Sequence, residues 1–129
     1  MPPFSHLNLL EIEDSVAGRV VGIEGRFGRN PLESRDLGIS HFRYAPGFRP
    51  EKAHRHREQE EAYIIVAGNG RMLLDDQVIE VRQWDVVRVA PEVVRAFEAG
   101  GDGLEFVAIG GPKPEGGDGE QVPASWPES

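Results

Sequence analysis

Between residues 16 and 109 the chain alternates short runs of β-branched, aromatic and other apolar residues with Gly, Pro, Asp and Asn. Short apolar runs bounded by turn formers predict strands, because a helix would need apolar positions three and four apart over a longer window. No stretch sustains that helical period. The runs predict strands at about 19–23, 38–45, 62–67, 71–74, 78–81, 85–89, 94–98 and 104–109. Eight strands of this length predict an all-β jelly roll or barrel with little helix. Gly68-Asn69-Gly70 offers residues tolerant of positive φ, and Asp75-Asp76 between Leu74 and Val78 suits a tight hairpin, so a turn is expected at each. Trp84 is expected to pack at the start of a strand.

The flanks differ in character from this central region. Residues 1–15 read as an arm of coil or edge strand, with only a weak helical signal over 7–13. After Gly110 the chain becomes rich in Gly and Pro, too poor in apolar groups for a core of its own. The expected organisation is therefore an arm at 1–15, one domain at 16–110 and a tail at 111–129. Trp126 is the tail's candidate anchor.

Composition narrows the chemistry. The chain has 129 residues, one domain's worth, with 39% hydrophobic and 28% charged residues, a globular balance. It contains no cysteine, so a metal would have to be held by nitrogen and oxygen ligands. A net charge of -8 with scattered basic residues disfavours nucleic acid. No apolar run is long enough for a transmembrane helix and the first residues lack a secretory pattern, so no membrane association and a cytoplasmic location are expected.

The chemically informative stretch runs from Ala53 to Gly68 and contains His54, His56 and Glu61. Two histidines two residues apart face the same way on a strand, so both imidazoles can reach one ion. Glu61 lies an odd number of residues further on and would point away along an unbroken strand. A turn through 57–60 removes that obstacle, and Glu61 then opens the next strand with Tyr63 on its face. Two imidazoles and a carboxylate with open positions suit iron, zinc, manganese, nickel or copper.

Over residues 37–110 the chain resembles the cupin superfamily. The first cupin motif has Gly, five residues, His-X-His, three or four residues, Glu, six residues and Gly. Here Gly47, six residues, His54-Arg55-His56, four residues, Glu61, six residues and Gly68 follow it with one departure in spacing. The resemblance implies a cupin-type barrel in which His54, His56 and Glu61 are the metal ligands when a metal is held. The second motif, laid on from Trp84, keeps its spacing but loses its anchor identities, and Arg95 stands where the family has a fourth ligand, a histidine.

That replacement leaves two readings open. A guanidinium about 5 Å from a divalent ion repels it by roughly 6–7 kcal/mol at an effective dielectric near 20. An anionic group on a ligand could bridge the two cations. Alternatively no metal binds, and Arg95 pairs with Glu61 in a polar pocket that holds a small molecule without chemistry. Tyr63, His41 and Arg95 are the further pocket candidates. The resemblance implies dioxygenases, isomerases and decarboxylases as enzyme classes and non-catalytic binding proteins as the other possibility. A small, anionic ligand is expected from Arg95, and a homodimer from the need to cover open strand edges.

Overall fold

The computed structural model describes residues 3–16 and 18–127. Apart from a single 3-10 turn at Leu9–Glu11, all its regular structure is β. The strands are β1 (Ile23–Phe27), β2 (Gly38–Tyr44), β3 (Lys52–His56), β4 (Glu61–Leu74), β5 (Gln77–Arg82), β6 (Val86–Val89), β7 (Arg95–Gly110) and β8 (Gly119–Pro123). They form one curled eight-stranded sheet in which every pairing is antiparallel.

The sheet curls because β4 and β7 are long and serve different neighbours along their lengths. The second half of β7 lies between β2 and the start of β4, while its first half pairs with the end of β4 and meets β3 at the single His54 and Arg95 pair. The ladder between β4 and β7 shifts register between Ile65 and Ala67 and again between Gly68 and Gly70. Such bulges bend a strand and increase its twist. The inner face carries Tyr44, Tyr63, Ile65, Met72, Val81, Val89, Phe97, Leu104 and Phe106, all buried. The opposite face of β4 and β7 buries Leu73 and Ala96 with Ala53 and Trp126.

Several sequence expectations are corrected here. Gly68-Asn69-Gly70 is not a turn. Gly68 does take a positive φ of 76°, but inside β4, where a Cβ would collide with the carbonyl oxygen of Gly103. The segments 62–67 and 71–74 are therefore one strand, as are 94–98 and 104–109. The first strand begins at Ile23 instead of ending there, β8 was not anticipated, and β3, absent from the apolar runs, was expected only as the extended segment that carries the two histidines. Trp84 does not pack. It is 70% exposed at a φ of 73°, in the turn that precedes β6. The turn at Asp75-Asp76 does form, and Asp75 fastens it by accepting the Val94 N–H at 2.9 Å.

Both flanks lie against the sheet. Asp14 accepts the N–H groups of Val16 and Gly25, and Arg26 donates to the Ile12 carbonyl, which ties the arm to β1. The tail supplies β8, paired with β3. Beyond it Trp126, 4% exposed, lies under the Arg49 guanidinium at 4.4 Å and near that of Arg71 at 5.3 Å. Glu98 joins those two arginines through bonds of 2.6 and 2.8 Å. Among the described residues no helix is long and apolar enough to cross a membrane.

Candidate metal centre

Strand alternation on β3 places Lys52, His54 and His56 on one face. All three line a cavity of about 400 Å³ between β3 and the aromatic side chains of β2 and β7. After His56 the chain turns through 57–60 and re-enters the sheet at Glu61, so that the carboxylate returns to the two imidazoles. The turn is held by Asp118 of the tail, whose Oδ2 accepts the N–H groups of Glu58 and Gln59 at 2.7 and 2.8 Å.

Glu61 Oε1 is the point of convergence. It lies 3.5 Å from His54 Nε2 and 3.2 Å from His56 Nε2. It also accepts the Tyr63 hydroxyl at 2.5 Å and Arg95 Nη2 at 3.1 Å. Burial alone would raise the carboxyl's pKa, but contacts from His54, His56 and Tyr63 outweigh it and hold Glu61 well below the usual carboxylate range. Glu61 is thus an ionised, oriented acceptor. Tyr63 shows the reverse, since burial and then the adjacent Glu61 carboxylate push its hydroxyl up and keep it protonated.

His56 is fixed from behind. Its Nδ1 lies 2.9 Å from Asp118 Oδ1, which turns Nε2 toward Glu61. The Glu61 carboxylate, assisted by Asp118, outweighs burial and raises the imidazole's pKa. Asp118 itself is lowered to about 2, because the Glu58 amide, His56 and the Gln59 amide overcome the effect of burial. His56 Nε2 is nevertheless buried without a hydrogen-bond partner, since its approach to Glu61 lacks hydrogen-bond alignment. Buried polar atoms are rarely left in that state.

A metal ion would satisfy this atom. Ligands at about 2.0–2.2 Å from a tetrahedral or octahedral ion are roughly 3.0–3.5 Å apart, and the two edges at Glu61 Oε1 measure 3.2 and 3.5 Å. The three ligand atoms all lie within 4.8 Å of one another. His54, His56 and Glu61 could therefore hold one metal ion between them.

Arg95 and Tyr63 also line the cavity, at its floor. The Arg95 side chain has no exposed surface. Its Nε donates to Tyr63 at 3.2 Å, and Nη1 donates to the carbonyls of Pro91 and Val93 at 2.8 and 2.7 Å. His41 is not among the lining residues. It shares β2 with Phe42 and Tyr44 but alternates to the other face, where its Nε2 meets Glu105 at 2.6 Å and Arg26 approaches its Nδ1 at 3.4 Å. Sequence reasoning did not single out Asp118, Lys52, Gln121 or the aromatic wall. Asp118 sits among glycines in a segment whose composition signals only a loop, with Glu115 and Glu120 as equally plausible carboxylates beside it.

A curled antiparallel sheet around a partly buried cluster of histidine and carboxylate side chains places the chain among small β-barrel proteins. The profile of the Cupin domain matches residues 40–110, more than half of the chain, and the protein belongs to the cupin family. The solved structure of a cupin protein from Bacteroides fragilis is similar over 88% of this chain and 88% of its own, with 21% identity and a TM-score of 0.72. Oxalate decarboxylase from Bacillus subtilis matches 95% of this chain at 17% identity and a TM-score of 0.75, but this chain spans only 33% of it. The polyketide cyclase RemF from Streptomyces resistomycificus matches over 93% of this chain and 86% of its own, at 14% identity and a TM-score of 0.73. At these identities the likeness is one of fold. No curated protein matches the sequence.

Proposed function

We propose that this cupin holds one divalent transition metal, drawn from iron, manganese, zinc, nickel and copper, on His54, His56 and Glu61, and uses it to bind or act on a small molecule in the cavity. The observation that carries this reading is the buried, unpartnered Nε2 of His56, aimed at the oxygen that His54 also approaches. When bound, the ion supplies Lewis acidity and open coordination positions. The remaining work falls to the chain. Tyr63 and Arg95 hold Glu61 aimed, Asp118 fixes the ring of His56, and the aromatic wall keeps water from one side of the ligand.

One observation favours a second reading. Arg95 occupies the place of the fourth cupin ligand and pairs with Glu61, so the pocket already has a cation opposite its carboxylate. In that case the cavity binds a small molecule without metal. Elemental analysis of protein purified without chelator or a metal-binding tag separates the two. The first reading predicts about one divalent ion per chain, lost in His54→Ala and His56→Ala. Metal-free protein that also takes up none of the five ions on titration rules it out and leaves the second.

A further inference from the structure

The cavity is polar on one side only. Along β3, Lys52, His54 and His56 form a ledge, with Gln121 of β8 opposite His54. The facing wall is aromatic. Phe42 and Phe106 stack at 5.2 Å with planes 25° apart, and Phe106 and Phe97 stack at 4.2 Å with planes 26° apart. Tyr44 and Tyr63 meet Phe106 edge on. Phe106 is 2% exposed, so the partly buried Phe42 is the ring most open to the cavity, and an apolar wall of this kind suits a flat ring and offers few hydrogen-bond partners to a polyhydroxylated body.

The available charge lies elsewhere than the sequence suggested. Arg95 would be the obvious partner for an anion, yet Tyr63, Glu61, Pro91 and Val93 take four of its five N–H groups, and the side chain is fully buried. It is a counter-ion of the floor and has little to offer a ligand. Lys52 differs, being an exposed lysine at the cavity mouth that has no ion-pair partner among the described residues. It lies two residues outward from His54, about 7 Å along the strand. A ligand spanning this ledge would carry its anionic group at the mouth and an oxygen donor at the histidine end.

The geometry points to a planar aryl carboxylate as the ligand, its ring against Phe42 on the aromatic side of the cavity, its carboxylate at Lys52 and an oxygen substituent directed to His54, His56 and Glu61. This deepens the small-molecule reading above, and the histidine end of the arrangement rests on it. A small dicarboxylate such as oxalate would leave the aromatic wall uncovered. A sugar acid would press hydroxyl groups against it unpaired.

Calorimetric titration tests the assignment with 4-hydroxybenzoate and 6-hydroxy-2-naphthoate as probes and 2-naphthol, oxalate and galacturonate as comparators. Each is run on metal-loaded and on chelator-treated protein, with metal content measured on the same preparations. The naphthoate is expected to bind more tightly than the benzoate because it covers more of the wall. In Lys52→Gln its affinity should fall about fivefold, as loss of one exposed charge pair implies, while 2-naphthol is unaffected and Lys52→Arg restores the naphthoate. Lys52 is exposed, so its variants should keep the parent melting temperature. Oxalate or galacturonate binding as tightly as the naphthoate would overturn the assignment. So would an unchanged affinity in Lys52→Gln, or no aryl binding to either form. Lys52-dependent aryl binding by protein that takes up none of the five ions would refute the metal centre and leave the ligand class standing. Metal-loaded protein that takes no aryl acid would do the reverse.

Discussion

Asp118 divides its two oxygens between different tasks, with Oδ1 facing His56 Nδ1 and Oδ2 accepting two backbone N–H groups. The Asp118→Asn substitution separates those tasks without changing shape. The two N–H donors hold the remaining amide oxygen on their side, which leaves the amide NH2 facing Nδ1. The imidazole must then accept there and carry its proton on Nε2, the atom that faces the site. We predict a metal affinity about 10- to 100-fold lower, with zinc as the probe ion, and a melting temperature close to the parent's. Nitrogen chemical shifts of His56 in the metal-free protein should report the switch from an Nδ1–H to an Nε2–H ring. Unaltered zinc affinity would show that Asp118 acts on the turn alone. Nothing in the sequence marked this residue, because its partnership with His56 crosses a separation of 62 positions.

At the scale of elements, the His-X-His pair was legible because strand alternation is a local rule. Glu61 was legible because a turn at 57–60 was needed to bring it back. The strands themselves were read less well. β3 and β8 are mostly polar, since β8 lies at the sheet edge with Val122 as the partly buried exception, and neither shows an apolar run. Conversely, glycines that looked like turn formers lie inside β4 and β7. Gly68 and Gly70 allow the backbone of β4 to approach the carbonyls of Gly103 and Glu98, which no local pattern can reveal. Gly68→Ala should therefore destabilise the fold by about 2 kcal/mol or more, through both the positive φ and the collision with Gly103, as read from the urea midpoint. An unchanged midpoint would mean that β4 bends by another route.

The whole molecule is closed by charge as well as by apolar burial. Contacts from Arg26 and Arg43 hold the carboxyl of Glu24 below its ordinary range. Burial would raise Glu98 and Glu105, but Arg71 and Arg49 lower the first and His41 and Arg43 the second. Carboxyls depressed in the folded state bind protons more readily when unfolded. Their contribution is complete above the ordinary carboxylate range and is lost as pH falls through the folded values. Chemical denaturation should show stability declining from about pH 5 toward pH 3, less steeply in Glu98→Gln, whereas equal slopes would exclude Glu98 as a contributor. The barrel as a whole was readable from turn spacing and apolar runs. The closure of the site by a tail that looks featureless in composition was not. The most direct measurement is anomalous scattering from crystals grown with zinc or manganese. A single peak about 2.0–2.2 Å from Nε2 of His54, Nε2 of His56 and Oε1 of Glu61 is the predicted result. No peak there, with Arg95 still paired to Glu61, would contradict a metal centre in this cupin.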